Sequence, residues 1–430
     1  MPGLAASQQL PEALSADDFL PYDEARAALG QMLFYDPILS GNRNISCGTC
    51  HHHAFFSADG QSLGVGEGGT GLGPDRLAGQ GEDAIEKRIP RNAPALFNLG
   101  AREIRVMFHD GRLEPAVFYE NGYNSPAEEY LPAGLSLLAA QALLPVNSEF
   151  EMAGNPEENK LAGLAYDQPD LVWAELVNRL RATPAYGPLF LETYPEMGSM
   201  LDLNITHVAT ALADFINAEW QSYDSPFDRY QAGDAAALNA EQLAGMALFF
   251  GEARCATCHS GPLFTDQEFY ALALPHFGPG RTRRFDPMVR DVGRMGVTDR
   301  IEDAYRFRTP SLRNVTRTAP YGHNGAYASL TGIIAHHANP VAGFANWDPS
   351  QIIMADAPWL SRIDFVAFAD TRERARLANK IDIEPVDMTD TDIAALISFL
   401  GALEGGPSLY GRLGVPAAVP SGLPVDRGLE

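Results

Sequence analysis

At 430 residues, and with roughly 150 residues to a typical domain, the chain has length for two or three domains and a sizeable core. Hydrophobic residues at 46% and charged residues at 20% exclude disorder, a collagen-like repeat and a disulfide-dense miniature scaffold. A net charge of −24 disfavours nucleic acid and anionic lipid and would attract a basic partner, and no apolar run is long enough to span a bilayer.

In chain order, an Ala- and Leu-rich helix is predicted over about 23–34, running into Gly30-Gln31-Met32-Leu33-Phe34-Tyr35. Cys47-Gly48-Thr49-Cys50-His51 follows, then a Gly-rich loop over 60–90. Residues 205–221 read as an amphipathic helix, and a second Leu-rich helix over 237–250 ends in Gly245-Met246-Ala247-Leu248-Phe249-Phe250. Cys255-Ala256-Thr257-Cys258-His259 comes next, with loop over 278–300, helix over 391–403 and a Gly- and Pro-rich tail. The halves echo one another in order: Ala93-Pro94-Ala95-Leu96-Phe97-Asn98 answers Thr309-Pro310-Ser311-Leu312-Arg313-Asn314, and His109-Asp110-Gly111 answers His323-Asn324-Gly325. Such an ordered echo predicts internal duplication.

All four cysteines fall in the two C-x-x-C-H motifs. Each pair can form thioethers to haem vinyl groups while the adjacent His reaches the iron, so two covalent c-type haems are expected. A zinc site would need both pairs brought together, and a thioredoxin-like motif would need a βαβ context missing here. Covalent haem attachment belongs to an oxidising compartment, so a periplasmic location is inferred from the cofactor. The opening MPGLAASQQLPEALSADDF has neither a basic nor an apolar leader region. The expected fold is mostly α with long loops and few short strands: two cytochrome c-like domains related by duplication, 18–200 and 201–400, and an extended tail, 401–430, packing on a neighbouring domain.

The order CxxCH, RNAPALFN, F-x-DGR, P-x-x-x-x-x-E-M, CxxCH, TPSLRN, TAPY-x-H-x-G resembles the bacterial di-haem cytochrome c peroxidase/MauG superfamily over about residues 20–400. The resemblance implies that hydrogen peroxide reacts at the N-terminal haem, whose open face is lined by Gln141, Pro145 and Glu151, with Glu151 as proton shuttle and Gln141 as its companion. On residue type alone, Glu151 would be a solvated carboxylate. Family members activated by reduction carry a blocking loop His, and this chain has no His between His53 and His109. His52 and His53 read as surface or supporting groups. A sixth ligand to the C-terminal haem is implied about fourteen residues after His323, which falls on His337, with His336 as second choice. Leu330, Ile333, Ile334 and His337 share one helical face, and His336 points off it. A calcium ion is implied at Asn92, Thr318 and Pro320.

One departure is His109, standing in Phe108-His109-Asp110-Gly111-Arg112 where the family usually has a Trp that bridges the haems. Trp173, Trp220, Trp347 and Trp359 remain as relay or packing residues. The His336-His337 pair and the APYGHNGAY run look most like MbnH-type members, which oxidise a tryptophan of the protein MbnP to kynurenine through a high-valent di-haem state. The expected partner is therefore a protein substrate of MbnP type. The alternative is peroxide reduction with electrons from a small cytochrome or cupredoxin, and a third class is a plain electron-transfer cytochrome.

Overall fold

The computed structural model describes residues 10–81, 84–165, 168–281 and 289–427. Helices carry the fold. Among these residues the paired strands are two-residue antiparallel ladders, Glu114–Pro115 with Tyr123–Asn124 and Phe269–Tyr270 with Phe307–Arg308.

The first core forms where the helix Glu24–Tyr35 crosses the helix Ile205–Glu219. Asp23 and Asn204 cap the two helices by accepting the Arg26 and Thr206 amides, satisfying donors that a helix start leaves open. The crossing is close because Gly30 has no side chain. A Cβ there would collide with the Ala211 carbonyl and lie 2.7 Å from Phe215 Cβ. Phe34 packs onto Phe215 and Trp220, with ring centroids 5.1 and 5.5 Å away. Leu138, Trp173 and Phe190, from the helices Leu137–Ala142, Pro169–Arg181 and Tyr186–Thr193, close the same core.

The second core repeats this crossing. Helix Ala240–Phe249 meets helix Asp390–Gly401 at Gly245, whose added Cβ would collide with the Ala395 carbonyl and lie 2.8 Å from Phe399 Cβ. Phe227, Phe249, Phe264 and Phe399 fill it.

The four helices predicted over 23–34, 205–221, 237–250 and 391–403 are present with slightly shifted ends. The expected boundary at 200/201 is displaced. Helix Ile205–Glu219 is apolar on the face that meets Glu24–Tyr35, so it is buried in the first core, and that core runs to Trp220. The second core's helices begin at Pro226–Gln231. The tail starts with a short helix, Gly406–Tyr410, and then lies extended over the first core, burying Leu409 and Val419. Part of the expected 278–300 loop, 282–288, lies outside the described residues. Among the described residues no helix is long and apolar enough to cross a membrane.

Candidate functional site

Both C-x-x-C-H motifs present their histidines alike. Cys47–Cys50 is one helical turn, and His51 at its end donates Nδ1–H to the Ser57 carbonyl at 3.0 Å. His259 makes the same bond to the Phe264 carbonyl at 3.1 Å. The carbonyls of Pro94 and Pro310, matched positions of the two echoing segments, also act on these rings. Holding Nδ1 fixes the ring and leaves Nε2 as the lone-pair nitrogen, which a metal requires. Burial lowers the pKa of both, His259 to about 4, so they are neutral at pH 7. Burial also pushes the Cys47, Cys50 and Cys255 thiols up to about 12. Among the described residues no group of three or more His, Cys, Asp or Glu could hold a metal ion, so the two cysteine pairs do not converge. The donor set fits a covalently held haem at each motif.

The surroundings of the two motifs differ. Glu151 sits in a single π turn, Glu149–Ala153, an irregularity common at functional sites. The Gly-rich loop braces it: Glu67 N–H donates to the Glu151 carbonyl at 3.1 Å, and a side chain at Gly66 would collide with the Phe150 carbonyl. Burial raises the Glu151 pKa, opposed by Arg112 and Arg281, and its charge is felt at Cys50. Gln141 ends helix Leu137–Ala142 and Pro145 opens the next turn. Trp173 Nε1 donates to the Leu143 carbonyl between them at 3.1 Å, which fixes that bend. Gln141, Pro145 and Glu151 thus lie on one continuous, braced segment.

Beside the second motif the two neighbouring histidines separate. His336 is buried with both ring nitrogens engaged, Nδ1 with the Tyr327 hydroxyl at 2.7 Å and Nε2 with the Leu272 carbonyl at 2.7 Å. Both of its ring nitrogens are thus already held by partners within the protein. His337 uses Nδ1 on the Ile333 carbonyl at 2.8 Å, leaving Nε2, and its charge acts on His259. Leu330 and Ile334, on the same helix face, pack on the second core.

His109 lies at the junction of the two cores. Its Nε2–H donates to the Asn92 carbonyl at 3.1 Å, and its pKa falls to about 4 through burial and then the Arg91 charge. Asn92 also bonds the Gln61 carbonyl (2.7 Å) and, through its N–H, the His323 carbonyl (2.9 Å). His323 stacks on Phe307 at 3.5 Å. Ser62 Oγ donates to the Gly325 carbonyl at 2.7 Å, and a Cβ on Gly325 would lie 3.0 Å from Pro320, so the segments holding Asn92 and Pro320 adjoin. Thr318 Oγ1 donates to the Val315 carbonyl at 3.2 Å. Gln61 Oε1 and Asn324 Oδ1 in these segments are buried and unpartnered, the neutral oxygen type a hard cation takes.

Of the tryptophans, Trp173, Trp220 and Trp347 are buried and Trp359 is half exposed. Sequence reasoning missed the network beneath the junction. Arg91 grips Asp291 through two bonds, 2.7 and 2.8 Å, and meets Asp110 at 2.7 Å. It also missed His53, which is enclosed between Tyr35 and Glu219. No local spacing announces either.

The comparisons agree with this geometry. A family model described as di-haem cytochrome c peroxidase matches residues 24–236. The methylamine utilization protein MauG of Methylorubrum extorquens is 31% identical over 335 residues, covering 78% of this chain and 74% of that protein. The cytochrome c peroxidase Ccp of Escherichia coli is 30% identical over 318 residues, covering 73% of this chain and 53% of that longer protein. In fold, a crystal structure of a MauG-like protein associated with microbial copper homeostasis matches with a TM-score of 0.60 at 24% identity, covering 94% of this chain and 96% of that one. The diheme peroxidase BthA from Burkholderia thailandensis matches with a TM-score of 0.59 at 21% identity, over 90% and 88%.

Proposed function

The chain belongs to the di-haem cytochrome c peroxidase/MauG family, and from that premise we propose a periplasmic oxidoreductase that uses hydrogen peroxide to oxidise a tryptophan of a partner protein. The observation that carries this reading is the asymmetry of the two motifs. His51 and His259 are held alike, but a braced carboxyl, Glu151, acts on Cys50 of the first motif, whereas an imidazole, His337, acts on His259 of the second.

Cys47 and Cys50, and Cys255 and Cys258, would attach the haems, with His51 and His259 as proximal ligands. The haems supply the capacity to accept two oxidising equivalents from peroxide and hold them. Glu151 takes the proton from the near oxygen of peroxide and returns it to the departing one. Burial raises its pKa above the ordinary carboxyl value, which favours the form that carries the proton. Gln141 orients the peroxide and Pro145 shapes the bend that presents both groups. His337, whose Nε2 is left over beside His259, would help hold the C-terminal haem and so leave peroxide the other site. His109 and the buried network around Asn92 form the matter between the sites, and Asn92, Thr318 and Pro320 would supply neutral oxygens to one calcium ion. The repeated glycine crossings, Gly30 on Ala211 and Gly245 on Ala395, support the reading of two duplicated cytochrome c-like domains. The acidic surface suits a basic docking partner of MbnP type.

The 30% identity to the Escherichia coli peroxidase favours a second reading, peroxide reduction with electrons from a small cytochrome or cupredoxin. One experiment separates the two: ferric optical and EPR spectra of the haem-loaded protein, followed by stoichiometric peroxide without reductant. One high-spin and one low-spin haem, giving a long-lived oxidised state, support oxidation of a protein substrate. Two low-spin haems unreactive until reduced overturn it in favour of the second reading.

A further inference from the structure

Tyr35, His53 and Glu219 form a buried hydrogen-bonded chain beneath the first cysteine motif. The Tyr35 hydroxyl donates to His53 Nδ1, and His53 Nε2–H donates to Glu219 at 2.6 Å. Tyr35 and Glu219 are fully buried, and the His53 side chain is 9% exposed. Glu219 in turn accepts the backbone N–H groups of Arg412, Leu413 and Gly414 at 2.7–2.9 Å, so the returning tail locks it. A side chain at Gly48, between the two cysteines, would collide with the Tyr35 ring, which places that ring against the attachment turn. The Trp220 ring lies 5.2 Å from His53.

Packing does not call for this chain. The second core puts Phe250 where the first has Tyr35 and Leu403 where it has Glu219, counting from the matched pairs Phe34/Phe249 and Phe215/Phe399. Gly261 stands two residues after His259, as His53 does after His51. The same crossing is thus built with apolar residues elsewhere in the molecule, and burying a charge costs free energy that well-packed apolar groups avoid. Burial and the Glu219 charge push the Tyr35 phenol far above its ordinary pKa, so it does not ionise unaided.

We propose that Tyr35 is a redox-active tyrosine, oxidised by one electron through a hydrogen-bonded base at the peroxide-reacting end of the molecule. The electron leaves Tyr35 for the N-terminal haem site after hydrogen peroxide has oxidised it, and the phenolic proton passes to His53 Nδ1. The products are a neutral phenoxyl radical, an imidazolium paired with Glu219, and a site reduced by one electron. The inference rests on the peroxide reading above in naming that oxidant.

The test oxidises the haem-loaded protein in two ways, by rapid mixing with peroxide and by flash-quench with a ruthenium polypyridyl complex, which needs no peroxide chemistry. Freeze-quenched EPR should show a tyrosyl signal that narrows with ring-deuterated tyrosine and is lost in Tyr35→Phe, while the ferric haem spectrum stays unchanged. Its formation should slow in D2O and slow further in Glu219→Gln. A tyrosyl signal that survives Tyr35→Phe, a tryptophanyl signal in its place, or no radical under either oxidant overturns the proposal. A Tyr35 radical under flash oxidation but not with peroxide upholds the tyrosine and overturns the peroxide reading instead.

Discussion

A carboxyl that shuttles a proton must both take one up and release it, and the surroundings of Glu151 pull in both directions. Burial favours its neutral form, while Arg112 and Arg281 keep the charged form within reach. Glu151→Gln keeps shape and burial but removes the proton, so the rate of reaction with peroxide should fall by about 10²–10⁴. Stopped-flow mixing measures it, and an unchanged rate would remove Glu151 from the chemistry. The two adjacent histidines give a second contrast. His337→Ala should convert the low-spin C-terminal haem to high spin by EPR. His336→Ala should leave the low-spin signal in place and lower stability by about 2 kcal/mol, since it removes two buried hydrogen bonds. The face that His337 shares with Leu330 and Ile334 was legible from helical spacing. The Tyr35–His53–Glu219 chain was not, because its members come from three distant segments and His53 reads locally as a bystander of His51. The engagement of both His336 nitrogens was hidden for the same reason: Leu272 arrives from elsewhere in the chain.

At the scale of elements, the helices follow from periodicity and caps, but their crossings depend on single glycines whose partners no periodic pattern names. Gly245→Ala should therefore destabilise the protein by about 1–3 kcal/mol in chemical denaturation, because its Cβ meets the rigid Ala395 backbone. Gly401, at the end of the partner helix Asp390–Gly401, has nothing within 4 Å of an added Cβ. Gly401→Ala should instead stabilise by about 0.4–1 kcal/mol, by restricting the unfolded chain. Opposite signs from one chemical change would establish close approach, not helix propensity, as the reason for Gly245. The same logic explains the displaced boundary. Helix Ile205–Glu219 carries an apolar face that packs mainly on Glu24–Tyr35, and sequence distance from the first motif gave no hint of that pairing.

Across the whole molecule, the two cores are tied by ion pairs, buried for Arg91 with Asp291 and Arg88 with Asp364 at 2.9 Å, and partly exposed for Arg294 with Glu114 at 2.8 Å. These cross-ties hold the site segments in register, since Arg91 adjoins Asn92 and Asp110 adjoins His109. They also make stability depend on acid in a defined way. Burial works to raise the Asp291 pKa, but Arg91 overcomes it and holds the carboxyl at about 2, against an ordinary 3.8. His276 and His323 also face it and add to that lowering. A group with a depressed folded pKa stabilises fully above its unfolded value, and that stabilisation is lost as pH falls through the folded one. Asp110, beside Arg91, Arg112 and Arg281, is lowered further and loses its contribution at still lower pH. Stability should thus decline steeply as pH drops from 3.8 towards 2, more steeply than for exposed carboxylates. Arg91→Met would strand Asp291 as a buried charge, costing about 3–5 kcal/mol at pH 7, while Asp110 keeps Arg112 and Arg281. In that variant burial would raise the Asp291 pKa with no guanidinium to oppose it, so mild acid would relieve the stranded charge and narrow the gap from wild type. Denaturant midpoints of both proteins, followed from pH 7 to pH 3, would check this, and parallel curves would show that Arg91 is not what depresses the Asp291 carboxyl.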